Sequence, residues 1–330
     1  MKILILNHNL RERGTWHRAR HIGRELARRG HRVTLWTAAP HHYYRAERRA
    51  DPELGERLAE VQTPSWAPLA GPDDGWGPLD AAWRLAHALA EPCDLCYAFA
   101  HPPNVWLPAW LMKRLRRRPL LYDWCDWYEG GIFPKRMEAR RAGLMPPGER
   151  PMQALAERWE VALERRMLRL ADRVTVISEP LRALALAAGR REEEILLLPN
   201  GANLEGIRPL EAAECRRELG LAGLTGPVLG YVANYHPDQD LLLGAVARAA
   251  REVPGMKFLV AGPPLSGDLV RRLGLESCVV HLGQVPAERI GLALGAADAL
   301  ALPLEDNPSN RARVPYKFTD YLAAGRPVVT

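Results

Sequence analysis

The feature that most constrains the fold of this chain is an alternation of short apolar segments with amphipathic ones, which runs twice along its 330 residues. In the first half, segments with the length and apolar character of β-strands lie at 2–6, 32–37, 95–99, 119–122 and 173–177. Segments with helical periodicity separate them, at 16–29, 78–90, 105–115 and 151–170. Strands that alternate with helices in this way predict a parallel sheet with helices on both faces.

The same alternation resumes in the second half, with predicted strands at 195–198, 228–232, 257–261, 279–282, 299–302 and 327–329. We therefore predict an α/β protein with two Rossmann-like, doubly wound parallel sheets. We place the boundary in the region 172–195 and assign residues 1–175 to the first domain and 176–330 to the second. Only Thr330 follows the last predicted strand. Because an open α/β sheet normally has helices on both faces, we expect the second domain to be incomplete, with a truncated C-terminal end.

Composition and length exclude several other classes of protein. Hydrophobic residues make up 47% of the chain, which is enough for each half to bury its own core. No segment reaches the ~18 consecutive apolar residues of a membrane span, and the apolar start at 1–6 is too short for a signal peptide. The five cysteines are few and odd in number, which argues against a disulfide framework. These observations predict a cytoplasmic protein.

The net charge of +6 is carried mostly by arginine, which clusters at 113–118 and 135–141. No nucleic-acid recognition motif accompanies these clusters, so we do not expect a nucleic-acid partner. Two interpretations remain open. The charges are ordinary solvated helix faces, or they attract the chain to anionic substrates or to an anionic membrane surface, with a peripheral position at its inner face.

Ligands of doubly wound sheets bind beyond the carboxyl ends of the strands, and one loop there carries distinctive chemistry. After the strand at 299–302 the chain leads into a helix that is predicted to start at Pro315. Free amides and the positive dipole end make such a start an anion site suited to a diphosphate. Lys317 can add a cation, and Asp320, one turn on, can accept two ribose hydroxyls. The alternative is a capped helix with ordinary surface charges.

A second candidate site is the segment 123–131, which follows a strand of the first domain and combines carboxylates with aromatic rings. Aromatic faces stack on sugar rings, and carboxylates hydrogen-bond sugar hydroxyls. We therefore favour an acceptor site here, with Asp126 as a candidate catalytic residue. The alternative is an apolar loop packed under the long helix 151–170, whose carboxylates would then need partners.

Segments in the same order along nearly the whole chain resemble the GT-B glycosyltransferases of family 4, the retaining glycosyltransferase group 1 family. Segment 310–329 matches a variant of its donor motif, N-x-x-R-x-P-x-K-x-x-D/E-Y-L-A-A-G-x-P-V-V. Segments 198–203, 171–179 and 29–34 resemble its P-N-G-V-D, A-D-x-V-x-x-V-S-E and R-G-H-x-V-T motifs. The resemblance implies two domains that face a cleft, with the donor on the second and the acceptor on the first.

The resemblance also implies a reaction and a donor site. It implies sugar transfer from a nucleoside-diphosphate sugar with retention at the anomeric carbon, without metal or cofactor. Asp320 would bind the donor ribose, and amides near Tyr316 and Lys317 would hold the diphosphate. The remaining donor-site candidates are Asn200, Gly201, Asn234 and Asn310. The acceptor stays open between a glycan, a lipid-linked sugar and a small molecule.

In the first domain, the resemblance implies two further sites. Gly14 and Thr15 occupy the place of the glycine-rich loop after the first strand, where small residues let backbone amides approach a phosphate or sugar. His101 matches the active-site histidine that contacts the donor sugar or the acceptor hydroxyl. The alternative for a lone histidine is a structural role.

The chain also departs from the family pattern. Ala312 stands where the first acid of E-x7-E is expected, and Asn234 and Gln239 stand where a donor-phosphate Arg and Lys are usual. Two charge-assisted contacts, each worth ~1.5–3 kcal/mol, are thereby lost. We expect Arg311, Arg313 and Lys317 to compensate. The alternatives are a catalytically inactive nucleotide-sugar-binding or scaffold protein and, on the same fold, a nucleotide-sugar epimerase.

No metal site is predicted. Asp238 and Asp240 form a D-x-D, but they lie at a helix start, where we expect Asp to cap backbone amides. His17 and His21 lie four residues apart on one helix face without a third ligand.

Overall fold

The computed structural model describes residues 1–40, 42–65, 77–132, 151–233 and 238–330, and for residues 151–156 it describes the backbone. Two compact units are present. The first comprises Met1–Pro199 with Arg311–Arg313, and the second comprises Asn200–Asn310 with Val314–Thr330. In the part of the chain that the structure describes, no helix is long and apolar enough to cross a membrane.

The first unit is built on an eight-stranded sheet. Its strands are β1 (Lys2–Leu10), β2 (Arg32–Ala38), β3 (Glu47–Asp51), β4 (Gly55–Gln62), β5 (Leu95–Phe99), β6 (Leu120–Trp124), β7 (Arg173–Val176) and β8 (Ile195–Leu197). They lie in the order β3-β4-β2-β1-β5-β6-β7-β8, and every neighbouring pair is parallel except the antiparallel pair β3–β4. The strand order reverses beside β1, so the topological switch point lies between β1 and β5.

The helices of the first unit agree closely with the sequence periodicity. They are α1 (Trp16–Arg28), α2 (Pro78–Ala88), α3 (Pro103–Arg114), α4 (Pro151–Leu170) and α5 (Glu179–Ala187), with a π-helical turn at Tyr128–Ile132 and a 3-10 turn at Glu192–Glu194. The apolar face of α1 packs on β1 and β2, where Ala19 and Ala27 are buried among Ile5, Val33 and Leu35. Burial of this kind stabilises the fold by ~25 cal/mol for each Å² of apolar surface removed from water.

Two features of the first unit differ from the sequence prediction. The hairpin β3–β4 was not predicted, because β3 is an edge strand with an exposed, charged surface and so lacks an apolar alternation. The strand β8 was assigned to the second domain, but it pairs with β7, with Val174 opposite Ile195. The unit boundary therefore lies after Pro199 rather than at residue 175, since β7 and β8 both extend the first sheet.

The second unit is a five-stranded parallel sheet with helices on both faces. Its strands β9 (Val228–Val232), β10 (Lys257–Ala261), β11 (Val279–Gly283), β12 (Ala299–Ala301) and β13 (Val328–Val329) lie in the order β11-β10-β9-β12-β13. The helices α6–α11 are Ala212–Glu218, Gln239–Glu252, Gly267–Arg272, Ile290–Gly295, Pro308–Ala312 and Tyr316–Ala323, with a 3-10 turn at Ala287–Arg289. This sheet confirms the predicted doubly wound α/β class, and its switch point lies between β9 and β12.

The core of the second unit follows from the alternation along its strands. Phe258 and Val260 face one side of β10 and pack with Leu243 of α7. Leu259 faces the other side and packs in the cluster that contains Tyr321 of α11. Because successive strand residues point to opposite faces, a strand such as β10, which is apolar and buried from Phe258 to Ala261, requires helices on both sides.

Candidate functional site

In the second unit, the hydroxyl of Tyr321 attaches α11 to the end of β9. Its oxygen accepts a hydrogen bond from the Val232 amide at 3.0 Å and lies 3.2 Å from the Val232 carbonyl, to which it donates. Tyr321 is fully buried. Helix α11 is thereby held at the carboxyl end of the sheet, where ligands of this fold class bind.

The loop that opens the second unit docks onto the same helix. Asn200 donates its side-chain amide to the Val314 carbonyl at 2.6 Å, and Thr319 donates its hydroxyl to the Gly201 carbonyl at 3.1 Å. The backbone amide of Asn203 hydrogen-bonds the carboxyl group of Asp320. The structure therefore brings the predicted residues of the 198–203 segment together with the predicted helix start.

Asp320 presents a half-buried carboxyl group beside this loop. Burial raises its pKa to about 6, and the hydrogen bond from the Asn203 amide opposes that rise. Among the described residues no lysine or arginine forms an ion pair with it. A carboxyl group placed in this way retains oxygen lone pairs for hydroxyl donors.

Lys317, in the first turn of α11, lies over an aromatic ring. Its Nζ is 4.9 Å from the ring centroid of Tyr231 in β9. Burial raises the pKa of Tyr231 to about 12, with a smaller contribution in the same direction from the charge of Asp238. The ring stays neutral, and a cation–π contact orients the ammonium group without neutralising its charge.

The segment before α11 is ordered by its own polar contacts. The buried Asn310 donates its side-chain amide to the Glu305 carbonyl at 2.9 Å, and its backbone amide donates to the Asn307 side chain at 2.9 Å. Arg311 is exposed and Arg313 is half-buried. Ala312 is only 2% exposed. The position where the resemblance expects an acid is therefore a buried alanine.

Asn234 and Gln239 stand where the resemblance expects a donor-phosphate Arg and Lys. Asn234 lies outside the described residues. Gln239, at the start of α7, accepts a hydrogen bond from the Ser266 amide, and Ser266 in turn caps α8 through Leu269. The expectation that Asp238 caps α7 is wrong: it lies buried at the N-cap position, but its side chain makes no capping hydrogen bond. Its backbone φ of −108° and ψ of 42° depart from the extended geometry of a capping residue.

Gly262, directly after β10, is a constrained position that the sequence analysis missed. Its φ is +129°, and a Cβ atom there would lie 1.9 Å from the carbonyl oxygen of Ala233, the residue after β9. Only glycine permits this approach of two backbones. The signal available in the sequence was a glycine directly after a buried strand and before Pro263-Pro264.

In the first unit, the loop between β1 and α1 is closed by a buried polar network. The side-chain oxygen of Asn9 accepts hydrogen bonds from the Thr15 amide and hydroxyl, both at 2.7 Å, and Asn7 donates to the Thr15 hydroxyl at 2.7 Å. Gly14 has a φ of +50°, and a Cβ there would lie 2.5 Å from Asn9 Oδ1. Gly14 lies in the loop after β1, as predicted. Its lack of a side chain lets its backbone pack directly on Asn9.

A buried ion pair joins α1 to β6 in the same unit. The guanidinium group of Arg18 donates to both oxygens of Asp123, at 2.9, 3.0 and 3.1 Å. Burial lowers the pKa of Arg18, but the charge and hydrogen bonds of Asp123 outweigh that effect and raise it overall. Arg18 also donates to the carbonyls of Leu198 at 2.7 Å and Pro199 at 3.2 Å. It therefore holds the last residues of the first unit, a role that no sequence motif indicated.

His101 follows β5 and is fully buried. Its Nδ1 lies 2.9 Å from the Tyr122 hydroxyl, and among the described residues Nε2 has no hydrogen-bond partner. Burial, with a smaller contribution from His8, lowers the pKa of His101 to about 3. The imidazole is therefore neutral near pH 7 and can donate or accept one further hydrogen bond at Nε2.

For the segment 123–131 the sequence offered two interpretations, an acceptor site or a packed loop, and different residues of the segment agree with different ones. The packed-loop alternative is correct for Asp123, which is committed to Arg18, and for Trp124, whose Nε1 donates to Glu164 of α4 at 2.8 Å. Asp126 is different, because its side chain is half-buried. Burial raises the pKa of Asp126 to about 6, and the nearby Arg313 opposes that rise. Asp126 thus remains a candidate for contact with a substrate.

The basic cluster at 113–118 is partly structural. Lys113 pairs with Asp172, and Arg116 donates to the backbone carbonyls of Ala88 and Glu91. The cluster at 135–141 lies outside the described residues. Among the described residues, no group of three His, Cys, Asp or Glu side chains could hold a metal ion. His17, which the sequence places on one helix face with His21, has its Nε2 3.0 Å from the Glu12 carbonyl oxygen.

Comparison with known proteins identifies the family. The family model described as "Glycosyl transferase 4-like domain" matches residues 13–201, and the one described as "Glycosyl transferases group 1" matches residues 226–330. The chain belongs to the group 1 glycosyltransferase family, and its two doubly wound units are those of the GT-B fold. This assignment confirms the resemblance that the motifs indicated.

One curated protein is similar to the chain in sequence, and two solved structures are similar to it in fold. The D-inositol 3-phosphate glycosyltransferase of Nocardia farcinica is 27% identical over 303 residues, which cover 84% of this chain and 62% of that relative. The chain thus spans less than two thirds of the relative's length. Sucrose-phosphate synthase from Thermosynechococcus elongatus has a TM-score of 0.68 at 20% identity, over 99% of this chain and 80% of the other. HepE from Anabaena, solved with UDP and glucose, has a TM-score of 0.65 at 19% identity, over 100% and 80%.

Proposed function

We propose that this chain transfers a sugar from a nucleoside-diphosphate sugar to an acceptor hydroxyl, with retention of the anomeric configuration and without a metal ion. The observation that carries the proposal is the docking of the 200–203 loop onto the start of α11, around the carboxyl group of Asp320, which forms no ion pair with any described lysine or arginine. A uridine nucleotide is the first donor to test, because HepE was solved with UDP and glucose.

The geometry supports a distinct role for each of three side chains. Asp320 accepts the ribose hydroxyls, and Lys317 with the first amides of α11 stabilises the negative diphosphate as it leaves. His101 is neutral, so it acts through a hydrogen bond from Nε2 to the transferred sugar or the acceptor rather than as a cationic acid. The chemistry then depends on electrostatic stabilisation of the leaving group, which needs no protein-bound metal.

The first test is nucleotide binding by the complete chain, followed as the thermal shift produced by UDP, GDP, TDP and ADP. We expect Asp320→Asn to weaken binding of the preferred nucleotide about 10- to 100-fold, because hydrogen bonds to a charged acceptor are worth ~1.5–3 kcal/mol. Asp240→Asn, at an exposed position of α7, is the matched control and should bind like wild type. Absence of a shift with all four nucleotides would refute the proposal.

Transfer is tested separately from binding. We expect release of UDP from a UDP-sugar by wild type in the presence of EDTA, and release about 10- to 100-fold slower by Asp320→Asn at a low, subsaturating donor concentration. If UDP-sugars bind but are neither hydrolysed nor transferred with any acceptor, the inactive binding protein suggested by the buried Ala312 becomes the better interpretation.

The raised pKa of Asp320 predicts how donor affinity depends on pH. The ionised carboxylate is the stronger acceptor for ribose hydroxyls, and with a pKa of about 6 it becomes protonated as the pH falls below that value. We expect the affinity for UDP-glucose to be about tenfold weaker at pH 5 than at pH 7, as measured by calorimetry. Asp320→Asn should show no such change, and a flat profile in wild type would contradict the assignment.

A further inference from the structure

Glu164 is a buried carboxyl group in α4 that binds three donors from the segment after β6. Its Oε1 accepts from Trp124 Nε1 at 2.8 Å and from the Tyr128 amide at 3.0 Å, and its Oε2 accepts from the Glu129 amide at 3.0 Å. The residue is only 1% exposed. No sequence motif singled it out, since a glutamate within an amphipathic helix is expected to be solvated.

The three hydrogen bonds explain why a carboxyl group is tolerated there. Burial raises the pKa of Glu164 to about 7, while the bonds from Trp124, Tyr128 and Glu129 oppose that rise. Tyr128 and Glu129 are the first residues of the π-helical turn Tyr128–Ile132. The first amides of a helical turn have no acceptor within the turn, so Glu164 supplies from α4 the cap that a local side chain would otherwise provide.

The turn that Glu164 caps includes Tyr128, whose ring packs against His101. The ring of Tyr128 stands edge-on to the His101 imidazole, with centroids 4.7 Å apart and an interplanar angle of 78°. Tyr122 hydrogen-bonds the Nδ1 of the same imidazole from within β6. His101 is therefore framed by two tyrosines, and only one of them is held in place by the sheet.

Asp126 lies in sequence between Trp124 and Tyr128, which both donate hydrogen bonds to Glu164. Trp124 precedes it by two residues and Tyr128 follows it by two. Because both flanking residues are bound to one carboxyl group, the conformation of the intervening residues is restricted. The exposed side of the turn has a second, weaker tether, in which Arg165 pairs with the Glu129 carboxylate.

We propose that Glu164 is a positioning residue of the acceptor-side half of the site, which sets Tyr128 against His101 and fixes the backbone on either side of Asp126. The proposal rests on the proposed function in so far as His101 and Asp126 take part in transfer. It assigns to Glu164 no contact with the substrate. Its effect is exerted through the loop after β6.

The kinetic test uses Glu164→Gln in the complete chain. Glutamine keeps one acceptor oxygen but presents an NH₂ donor to the Glu129 amide, so the cap is broken with little change in volume. We expect kcat to fall at least tenfold, with the KM for the donor and the UDP-induced thermal shift within twofold of wild type. Arg166→Gln, at an exposed position of the same helix, should change neither.

A spectroscopic readout keeps the test independent of turnover. The ¹⁵N and ¹H resonances of the His101 ring, assigned with a His101→Gln variant, are expected to move in Glu164→Gln, because the edge-on Tyr128 ring contributes a ring-current shift. Trp124→Phe removes one of the three donors and should move them in the same direction by less. If wild type binds no nucleotide, the proposed function fails, while the His101 resonances still test the positioning.

Two results would overturn the role of Glu164. One is an unchanged His101 spectrum in both Glu164→Gln and Trp124→Phe. The other is a loss of activity that appears wholly as a raised donor KM with kcat unchanged, since the proposal places the effect of Glu164 on the transfer step.

Discussion

Replacing Arg18 with methionine is expected to lower the free energy of unfolding of the first unit by about 3–5 kcal/mol. Both partners of the Arg18–Asp123 pair are buried, with side chains that are 4% and 0% exposed. Removing the guanidinium group leaves the Asp123 carboxylate without its cation in a medium that solvates charge poorly. Methionine fills a similar volume, so the loss is electrostatic rather than a cavity effect.

Further contacts of the same pair make the effect large. Asp123 also accepts hydrogen bonds from the Tyr97 hydroxyl at 3.1 Å and the Thr175 hydroxyl at 2.7 Å. Arg18 in turn satisfies the carbonyls of Leu198 and Pro199. A single substitution therefore disturbs α1, β6 and the segment after β8 together.

The measurement is chemical denaturation of the complete chain, with Arg29→Met as the matched control. Arg29 is exposed at the end of the same helix, so its replacement should change stability by no more than about 0.5 kcal/mol. The double variant Arg18→Met/Asp123→Asn removes the charge that Arg18→Met strands, and it should recover about 1–2 kcal/mol. Equal stability of Arg18→Met and Arg29→Met would show that the pair does not stabilise the unit.

Gly262→Ala is the second substitution with a large expected effect. The φ of +129° is a conformation that side chains rarely adopt, and the new Cβ would lie 1.9 Å from a backbone oxygen that cannot rotate away. Strain and overpacking each cost ~1–3 kcal/mol, so we expect a loss of about 2–5 kcal/mol in the second unit. Relief of the clash requires the segments after β9 and β10 to separate.

The chain offers a control of opposite sign. Gly244 lies inside α7, and a Cβ there would meet no atom within 4 Å. Gly244→Ala should therefore stabilise the protein by about 0.5–1 kcal/mol through the lower entropy of the unfolded chain. The measurement is the thermal stability of both variants relative to wild type. A Gly262→Ala protein as stable as wild type would contradict the predicted clash.

Local patterns predicted the elements well, because each depends on residues close together in sequence. The strand at 95–99 and the helix at 151–170 have the predicted bounds, since periodicity and turn residues determine where an element begins and ends. The hairpin β3–β4 escaped prediction because an exposed edge strand needs no apolar face. The assignment of β8 failed because an alternation of strands and helices does not state which sheet a strand joins.

The candidate site shows the same division. The start of α11, with Lys317 and Asp320 one turn apart, could be located from sequence because proline, a cation and an acid follow one another in one short segment. The donor-site and catalytic roles of all the candidates, Lys317 and Asp320 included, stay predictions. Nothing in the sequence distinguished Asp123, which is committed to Arg18, from Asp126, which is half-buried.

By itself the sequence determined the α/β class, the family and the position of the helix start at the end of the second sheet. The tertiary structure alone decided which polar groups are used internally, because their partners lie far apart along the chain. Arg18 and Asp123 are hydrogen-bonded although they lie 105 residues apart in sequence, and Trp124 and Glu164 lie 40 residues apart. Neighbouring residues encode periodicity, whereas a buried charge acquires its partner only when packing excludes water and brings distant segments together.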